Sequence, residues 1–516
     1  MAGPAALLSV SDRTGLVTLA ASLRSRGFAL YGTSGTAGAL RSAGLPCEDV
    51  GTLTGFPPLC DGRVKTLHPK IHAAILARRA NQTHMGELKT QAIEPIDLVA
   101  ANLYPFREAA ASGASGDALL EKIDIGGVTL LRAAAKNHSD VIVLSRPERY
   151  GPVLEELRER GSISVETRRQ LAAEAFSHTA AYDAAIAAQV ATDAGVQFPD
   201  EMTLSLRKIR DLRYGENPHQ QAAFYAVRGE SGAMTTMEQL HGKATSFNNM
   251  LDINAAWRIA SDFTQPTAAI VKHQNPCGIA SDVDIAKAYR GAFLCDSVSA
   301  FGGIVALNRP VTRELADALR DTFDEAIIAP AYAEDAIPML KERKNLEIFA
   351  VPGWVSHQRG RHGDGMLDFK RVSGGMLVQT PDESVADESN FKVVTERQPT
   401  LEELTDLIFS WRCVRHVTSN GIVLAKNLMS VGIGPGQLSR VVAVEVAVRK
   451  AGENARLAVM SSDAYFPFPD GIEVAARAGV TAIIQPGGSM RDQMMIDTAN
   501  RHRMAMLFTG RRHFKH

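Results

Sequence analysis

The chain has 516 residues and a formal net charge of −1, from 56 lysines and arginines against 57 aspartates and glutamates. At roughly 100–200 residues per domain, this length predicts about three structural units. A hydrophobic content of 45% and a charged content of 22% are ordinary globular values, which argues against long disorder. The balanced charge argues against a nucleic-acid coat, and no apolar run approaches the roughly 18 residues of a membrane span.

The cysteines are few, scattered and odd in number: Cys47, Cys60, Cys277, Cys295 and Cys413. This pattern is typical of reduced thiols and not of a disulfide framework. The first residues lack the basic stretch of a signal peptide. We therefore predict a soluble cytoplasmic protein.

The first part of the chain alternates predicted strands with predicted helices. Apolar runs predict strands at 5–10, 28–31, 96–103 and 141–144, and helical patterns cover 127–136 and 164–193. Alternation of this kind favours a parallel α/β sheet with ligand loops at the strand ends. A polar break, Gly195-Val-Gln-Phe-Pro199, follows the last helix. We place the domain boundary there, with domains at 1–199 and 200–516.

The second part is also predicted to be α/β. Its apolar runs lie at 268–271, 304–307, 326–329, 422–425, 458–460, 482–484 and 505–508. Two of them end alike, one in Lys272-His273 and the other in Lys426-Asn427. The likeness suggests two related halves, although chance similarity explains it nearly as well.

Hydroxyl groups, glycine amides and cations follow successive strands of the first domain. They are Ser9, Ser11 and Arg13, then Ser34, Gly35 and Thr36, and then Arg63, Lys65 and Thr66 in a later loop. Helix N-termini and cations bind anions, so the combination predicts a mononucleotide phosphate site. Taken singly, Ser-Gly-Thr is more often a simple helix cap.

Asp124 and Lys136 bracket one predicted helix of the first domain. A carboxylate near the start and an ammonium near the end compensate the helix dipole, which is a sufficient structural explanation. The functional alternative is an acid/base pair near Tyr104, which requires the loops to converge.

In the second domain, Lys272 and His273 leave a buried strand for a predicted turn containing Pro276 and Gly278. An imidazole can accept a proton near neutral pH, and a neighbouring cation can stabilise negative charge. A surface histidine beside a solvated lysine is the competing interpretation. Upstream, the segment 212–220 concentrates polar and aromatic groups that an ordinary turn would also explain.

Several other site classes are poorly supported. Pro276-Cys277 is similar to part of a zinc deaminase motif, but residue 280 is alanine and no His-x-Glu element occurs. The dinucleotide fingerprint Gly-x-Gly-x-x-Gly is missing after the first strand. The glycine-rich stretch 432–437 lacks the Lys-Ser/Thr of a P-loop, so we predict a tight loop that a ligand approaches.

Long motifs along the whole chain resemble one family, the bifunctional purine biosynthesis proteins. These motifs include Ser9-Val-Ser-Asp-Arg-Thr-Gly, Gly62-Arg-Val-Lys-Thr-Leu-His-Pro, Asn102-Leu-Tyr-Pro-Phe, Ile123-Asp-Ile-Gly-Gly, Leu212-Arg-Tyr-Gly-Glu-Asn-Pro-His-Gln, Lys272-His-Gln-Asn-Pro-Cys-Gly, Ala300-Phe-Gly-Gly, Ala425-Lys-Asn and Ser461-Ser-Asp-Ala-Tyr-Phe-Pro. The family joins an inosine monophosphate (IMP) cyclohydrolase to a phosphoribosylaminoimidazolecarboxamide (AICAR) formyltransferase.

The resemblance implies a methylglyoxal-synthase-like N-terminal domain and a C-terminal transformylase of two cytidine-deaminase-like subdomains that lack the deaminase zinc. It implies transfer of a formyl group from 10-formyltetrahydrofolate to AICAR, which gives the formylated nucleotide FAICAR. FAICAR then closes its second ring with loss of water, which gives IMP. It further implies a homodimer whose transferase sites take residues from both subunits. Neither nucleic acid nor a membrane is an expected partner. No catalytic metal is expected, and the resemblance is compatible with a bound monovalent cation.

The same resemblance assigns site residues by their positions in the motifs. Catalytic positions of the transferase would be Lys272, His273 and Asn427, and its substrate positions Arg213, Tyr214, His219, Gly302, Glu325, Tyr465, Asp470, Ser489, Met490 and Arg512. Catalytic positions of the cyclohydrolase would be Lys136, Asp124, Lys65 and Tyr104. Its substrate positions would be Ser11, Asp12, Arg13, Ser34, Gly35, Thr36, Arg63, Val64, Thr66, Asn102 and Gly126.

Two alternatives remain at the level of sequence. One is a monofunctional formyltransferase whose front domain only binds a nucleotide. The other, from a non-enzyme class, is a nucleotide-responsive regulatory protein, because the front fold recurs in regulatory modules.

Overall fold

The computed structural model of the chain describes residues 3–353, 366–382 and 388–516. It contains two compact units, one of residues 1–207 with 227–229 and the other of residues 208–226 with 230–516. The predicted boundary at 199/200 thus lies inside the first unit. Within the described ranges, we find no helix with the length and apolar character needed to cross a membrane.

The first unit is a five-stranded parallel sheet flanked by helices. Its strands are β1 (Ala5–Ser9), β2 (Ala29–Gly32), β3 (Glu48–Asp49), β4 (Leu98–Ala101) and β5 (Ile142–Leu144), in the order β3-β2-β1-β4-β5. Its helices are α1 (Leu16–Ser25), α2 (Ser34–Ser42), α3 (Val50–Thr54), α4 (Pro69–Leu76), α5 (Gln82–Thr90), α6 (Phe106–Ala111), α7 (Gly116–Leu120), α8 (Gly126–Lys136), α9 (Tyr150–Arg160) and α10 (Val165–Asp193).

The parallel order brings the carboxyl ends of β1, β2 and β4 to one edge of the sheet. Residues 98–101 of β4 are all buried, because helices cover both faces of a parallel sheet. The long helix α10 begins where the Ser164 hydroxyl accepts the amide of Thr167 at 3.2 Å. The predicted strands and the two predicted helices of this unit are present, with ends shifted by a few residues.

The second unit is built on a twelve-stranded sheet, with two small two-stranded sheets beside it. Its strands are β6 (Leu206–Leu212), β7 (Ala222–Val227), β8 (Glu238–His241), β9 (Thr267–Lys272), β10 (Asn275–Ser281), β11 (Gly303–Leu307), β12 (Asp324–Ala329), β13 (Glu347–Ala350), β14 (Asp368–Val372), β15 (Gly375–Gln379), β16 (Lys392–Val393), β17 (Ile422–Lys426), β18 (Met429–Gly434), β19 (Val459–Ser462), β20 (Ala482–Gln485) and β21 (Ala505–Phe508). Its helices are α11 (Ala233–Thr236), α12 (Phe247–Ser261), α13 (Ile285–Cys295), α14 (Ser297–Ala300), α15 (Arg313–Arg320), α16 (Ala336–Lys341), α17 (Leu401–Val414), α18 (Arg440–Ala451), α19 (Asp470–Arg477) and α20 (Asp492–Arg501).

The large sheet consists of two halves with the same strand order. Reading outward from the antiparallel central pair, one half is β10-β9-β11-β12-β13-β8 and the other is β18-β17-β19-β20-β21-β16. In each half a hairpin is followed by three parallel strands and a short antiparallel edge strand. The structure therefore shows the two related halves that the sequence suggested.

Equivalent residues of the two halves lie 154 positions apart. They include Asp252 and Asp406, Trp257 and Trp411, Asp262 and His416, Lys272 and Lys426, and Gly278 and Gly432. The helices α12 and α17 each begin at a hydroxyl cap, Ser246 or Thr400, which are also 154 positions apart. One pair of equivalent residues meets directly, since His416 Nε2 lies 3.0 Å from Asp262 Oδ2.

Two segments differ from their predicted structure. The turn after Lys272 consists of His273 and Gln274, and the residues Pro276 and Gly278 lie in β10 instead. The glycine-rich stretch 432–437 begins inside β18 and is not wholly a ligand loop. A Cβ at Gly432 would lie 2.2 Å from the carbonyl oxygen of Ala447, so this glycine allows a strand and a helix to pack closely.

Candidate active sites

A loop and a helix N-terminus form a candidate anion site in the first unit. Helix α2 starts at Ser34, and no side chain of the described residues caps its first turn. The Arg13 guanidinium lies 3.5 Å from the position that a Cβ would take at Gly35. A cation thus faces exposed backbone amides at a helix start, which is the arrangement that binds phosphate.

Two of the predicted substrate residues shape this loop. Asn102 Oδ1 accepts the amides of Ser11 at 2.6 Å and Asp12 at 2.9 Å, and Asn102 Nδ2 donates to the Asp12 carbonyl at 2.8 Å. The Thr36 hydroxyl is buried and hydrogen-bonds the backbone of Val10 at 3.1 and 3.3 Å. Both side chains therefore hold the loop, and the Thr36 hydroxyl is not directed to solvent.

Lys65, Tyr104 and Asp124 come together just after the carboxyl end of β4. Lys65 Nζ lies 3.4 Å from the Tyr104 hydroxyl, and Asp124 Oδ1 accepts the Gly127 amide at 2.6 Å. Burial raises the pKa of Asp124, while the amides of Gly127 and Tyr104 and the charge of Lys65 oppose that rise. A carboxyl group in this setting can take and return a proton close to an ammonium and a phenol.

The segment that carries Arg63 approaches the start of α8. The Thr66 hydroxyl is buried without a hydrogen-bond partner, and a Cβ at Gly126 would lie 2.4 Å from it. Glycine at 126 therefore permits the approach. Arg63 is exposed and forms an ion pair with Glu121, and Val64 is partly buried.

Lys136 is not brought to Asp124. It is the exposed last residue of α8, whereas Asp124 precedes that helix. Eleven helical residues at about 1.5 Å each place the two ends about 16 Å apart. The acid/base pairing of these two residues is thus not present within one chain of the structure.

In the second unit, Lys272 and His273 lie at the end of the β9–β10 hairpin. His273 and Gln274 have φ values of 53° and 62°, the left-handed region that non-glycine residues seldom adopt. Both of their amides donate to the carboxylate of Asp252, at 3.1 and 2.7 Å. Lys272 Nζ donates to the Phe301 carbonyl at 2.8 Å, which directs the ammonium group toward Gly302 and the start of β11.

Asn427 lies in an equivalent turn of the other half. Asn427 and Leu428 have φ values of 55° and 56°, and their amides donate to Asp406 at 2.8 and 2.7 Å. This turn is at the opposite end of the central strands, because the Leu428 carbonyl accepts the amide of Ser281, the last residue of β10. The six steps of about 3.4 Å between the first and last residues of β10 separate Asn427 from His273 by roughly 20 Å.

The start of α12 joins the His273 turn to a second polar cluster. The Phe247 amide donates to the Tyr214 carbonyl at 3.3 Å, and Asn249 Nδ2 donates to Glu347 Oε1 at 3.1 Å. The Arg213 guanidinium lies 4.8 Å from the centre of the Tyr214 ring. Burial raises the pKa of Glu347, against the opposing charges of Lys243 and Arg213.

Other predicted substrate positions of the first half vary in their surroundings. Glu325 forms an ion pair with Lys243 at 2.9 Å, so its charge is already balanced. Gly302 has a φ of 74°, and its amide donates to the Phe323 carbonyl at 2.6 Å. His219 is exposed.

The remaining predicted positions of the transferase follow the carboxyl ends of β19, β20 and β21. Tyr465 and Met490 are exposed, and Asp470 is the first residue of α19. The Ser489 amide donates to Asp492 at 3.1 Å. Phe468, which the sequence analysis did not identify, is exposed on the same segment. The Arg491 guanidinium lies 4.7 Å from the centre of the Phe468 ring.

The last residues of the chain reach the His273 turn. Lys515 Nζ donates to the carbonyls of Gln274 at 3.1 Å and His416 at 2.7 Å. Burial lowers the pKa of Lys515 to about 8, and Arg258 adds to that effect. Arg512 lies nearby in the chain, with its guanidinium 4.5 Å from the Phe514 ring centre.

Sequence reasoning missed several residues that hold the site in place. They are Asp252 and Asp406 under the two turns, Lys515 beside one turn, and Tyr182. The Tyr182 hydroxyl accepts the Asp124 amide at 2.8 Å and donates to the Lys122 carbonyl at 2.7 Å. The repeat of 154 residues was a signal for Asp252 and Asp406, while Tyr182 and Lys515 have no local sequence signal.

No group of three or more histidine, cysteine, aspartate or glutamate side chains in the described ranges is arranged to hold a metal ion.

Two family models match consecutive parts of the chain. A family model described as the AICARFT/IMPCHase bienzyme matches residues 134–450, and one described as an MGS-like domain matches residues 15–129. A solved structure titled "Crystal structure of ForH" is 39% identical over 36% of this chain and 98% of its own, with a TM-score of 0.33.

Curated relatives match along their whole length. Bifunctional purine biosynthesis protein PurH of Acetivibrio thermocellus is 47% identical over 514 residues, 99% of each chain. The protein of that name from Persephonella marina is 48% identical over 522 residues, 100% of each chain, and the one from Bacillus subtilis is 45% identical over 513 residues. The chain therefore belongs to the family of bifunctional purine biosynthesis proteins, and it is a formyltransferase and IMP cyclohydrolase that catalyses the last two steps of purine biosynthesis.

Proposed function

We propose that the first unit closes the purine ring with Lys65, Tyr104 and Asp124, and that the second transfers the formyl group with Lys272 and His273. The observation that carries this assignment is that each unit holds a cationic and an acid/base side chain within one loop cluster. The nucleotide phosphate in the first unit would bind Arg13 and the start of α2. The monofunctional alternative is disfavoured, because the full-length relatives are bifunctional by name and three of the four predicted cyclohydrolase residues lie together in the first unit.

Ring closure requires orientation, proton transfer and support for an oxyanion. The carboxamide nitrogen of FAICAR attacks the formyl carbon, and the bond that forms closes the second ring. Lys65 and the Tyr104 hydroxyl support the charge that develops on the formyl oxygen. Asp124 takes the proton from the attacking nitrogen and gives it to the formyl oxygen, which becomes a hydroxyl group. That hydroxyl leaves as water when Asp124 brings it a second proton, taken from the former formamide nitrogen as the new C=N bond forms. The raised pKa of Asp124 suits these transfers.

Formyl transfer needs a base, because the amine of AICAR is conjugated with its ring and is a weak nucleophile. His273 accepts the proton from that amine as it attacks the formyl carbon of 10-formyltetrahydrofolate. The bond between the formyl carbon and N10 of the folate then breaks, and His273 gives the proton to N10. Lys272, held by the Phe301 carbonyl, stabilises the negative charge on the formyl oxygen before the folate leaves. Arg213 and Tyr214 would hold the nucleotide on the α12 side.

The folate would bind to the surface formed by the residues that follow the carboxyl ends of β19 and β20. Tyr465 and Phe468 are exposed aromatic rings on which a flat heterocycle can stack, and Arg491 can pair with a carboxylate of the folate. Exposed Met490 adds an adaptable apolar contact. Asp470 and Ser489 lie on the same surface, as the family resemblance implies.

We also propose a homodimer in which Asn427 of one subunit completes the site of the other. The support is the separation of roughly 20 Å between Asn427 and His273 in one chain. An amide at that distance cannot contact a nucleotide bound at His273 of the same chain. A cytoplasmic location fits the five free thiols, four of which are buried.

Two substitutions in the full chain test the assignment of roles. Asp124→Asn should lower ring closure of supplied FAICAR by about 100-fold or more and leave formyl transfer unchanged. His273→Ala should do the reverse. Folate release and purine-ring formation can be followed separately by absorbance in one mixture. If either variant loses both activities or neither, the assignment of that residue is wrong.

A further inference from the structure

Asp252 holds the turn that carries His273. Its two carboxylate oxygens accept two successive amides, His273 N at 3.1 Å and Gln274 N at 2.7 Å. We infer that Asp252 is a positioning residue for formyl transfer that acts through His273, an inference that rests on the proposed role of His273. With both oxygens engaged by the backbone, Asp252 is not itself placed to take the substrate proton.

The backbone of this turn needs an external support. His273 and Gln274 both have positive φ, a conformation that is unfavourable for L-residues. Such conformations persist only when the surroundings impose them. In the described structure the amides of this turn are held by Asp252, and the carboxylate therefore offsets the strain at the point where it arises.

The conformation of residue 273 sets the direction of its side chain. The Cα–Cβ bond leaves the backbone in a direction fixed by φ and ψ, so a return to negative φ would swing the imidazole away from its present position. A base must lie within hydrogen-bond reach of the proton that it removes. The carboxylate of Asp252 thus controls the distance between His273 and a bound amine.

Asp252 also links this turn to the nucleotide side of the site. It stands on the second turn of α12, whose first residues contact the Tyr214 carbonyl and Glu347. The helix begins at Ser246, whose hydroxyl accepts the Asn249 amide at 3.1 Å. One short helix segment therefore fixes both the proposed base and the proposed nucleotide-binding residues relative to each other.

The other half of the unit has the same carboxylate-bound turn, but this turn carries no histidine. Asp406 accepts the amides of Asn427 and Leu428 at 2.8 and 2.7 Å. Two independent positions of the repeat thus use one carboxylate to hold a two-residue turn of positive φ. The carboxylate is consequently a property of the turn, and its catalytic effect depends on which side chain the turn carries.

The test replaces Asp252 by asparagine in the full chain. The amide oxygen still accepts one backbone N–H, but the NH2 group faces the other donor, so the turn loses one of its two bonds. We expect kcat for formyl transfer to fall at least about tenfold, because a displacement of ~1 Å can cost ~100-fold. The KM for AICAR should change less than about threefold, and ring closure should keep its wild-type rate.

The matched control is Asp284→Asn. Asp284 is exposed in the same unit and accepts the Ala286 amide at 2.8 Å at the start of α13. It is expected to keep the wild-type kcat. Thermal unfolding of each variant shows whether a loss of rate accompanies a loss of fold.

Double substitution separates positioning from general stabilisation. In a His273→Ala chain, adding Asp252→Asn should lower kcat no further, since Asp252 acts through the missing imidazole. A further loss in the double variant would overturn the inference. If Asp252→Asn does not fold, Asp252→Glu decides: a folded variant with lowered kcat supports the inference, and one with wild-type kcat overturns it.

The outcomes also distinguish the inference from the proposed function. If His273→Ala transfers formyl at the wild-type rate, the proposed role of His273 fails and the inference with it. If His273→Ala is impaired and a folded Asp252→Asn keeps its wild-type kcat, the inference alone is overturned.

Discussion

The two turns of the second unit have the same backbone and different chemistry. The φ values of residues 273–274 are close to those of residues 427–428. In each turn the two backbone amides donate to the carboxylate of one aspartate. Each is preceded by a lysine whose ammonium donates to a backbone carbonyl, at 2.8 Å for Lys272 and 3.2 Å for Lys426. The first turn then carries a histidine and the second an asparagine.

This comparison separates what the scaffold provides from what one side chain provides. An imidazole can exchange a proton near neutral pH, whereas an amide can only donate and accept hydrogen bonds. The repeat therefore supplies two equally shaped positions, of which one suits a base and the other suits binding. The fold determines where a functional group stands, and the residue type determines what it does.

The largest expected effect comes from mixing two inactive proteins. His273→Ala and Asn427→Ala should each lose most formyl transfer alone. If each site takes His273 from one subunit and Asn427 from the other, a hybrid dimer has one intact site. Random exchange of subunits should then restore about a quarter of the wild-type rate. The measurement is formyl transfer before and after mixing under conditions that exchange subunits.

Recovery on mixing would show that the two turns serve one site. A mixture that stays inactive while hybrid dimers form would contradict the shared site and leave the turns functionally separate. Mixing His273→Ala with itself is the control, since self-exchange creates no intact site.

A smaller effect is expected from the glycines that both halves use for packing. A Cβ at Gly278 would lie 1.9 Å from the Ala292 carbonyl, and one at Gly432 would lie 2.2 Å from that of Ala447. Alanine at either position should lower the free energy of unfolding by about 1–3 kcal/mol through overpacking. Urea denaturation measures the loss.

Gly375→Ala is the control, because its Cβ would meet only Val372 at an ordinary 3.8 Å. Similar losses at 278 and 432 would sharpen the comparison, since the packing is shared even where the chemistry differs. A loss in one half alone would show that the halves are not held together in the same way.

A third effect, which depends on pH, concerns the pair of residues at which the two halves touch. Burial, with Arg415 and Arg258, lowers the pKa of His416 to about 4 against the opposing effect of Asp262. Because the unfolded histidine binds a proton below its ordinary pKa of about 6.5, stability is full above that pH and falls as the pH drops toward 4.

Between pH 7 and pH 5 this loss should reach about 2 kcal/mol. His416→Gln keeps a donor for Asp262 but has no proton to gain, so its urea midpoint should depend less on pH. An equal pH dependence in both proteins would contradict the assignment. His178 in the first unit, whose pKa is also lowered to about 4 by burial, remains in both proteins and cancels in the comparison.

Much of the fold could be predicted from hydrophobic patterning. Buried strands such as 268–271 and 482–484 stand out as apolar runs, and the Ala-rich helix α10 has a clear hydroxyl cap. The strand β10 was missed because Pro276 and Gly278 are residues that usually end strands. In the structure the ladder is irregular between them, which accommodates the proline.

The site was predictable where a side chain acts through its own chemistry. Lys65, Tyr104 and Asp124, which the family resemblance named, lie close together, and their catalytic roles stay predictions. Residues that act on the backbone, such as Asp252, carry no motif and become visible only through the repeat or the structure. Lys136 shows the opposite case, because it belongs to a motif but lies away from the other three residues. Its distance from Asp124 is set by the length of α8, which the motif does not reveal.

The contact between Asp262 and His416 has a consequence for symmetry. These residues occupy equivalent positions of the repeat and touch each other at 3.0 Å, so they stand on the axis that relates the halves. In an assembly of two identical chains, a residue on a two-fold axis meets its own copy, and an aspartate there would face an aspartate. Because the two halves belong to one chain, they can carry different residues at this position. An imidazole therefore stands opposite the carboxylate, a pairing that two identical chains could not form on their axis.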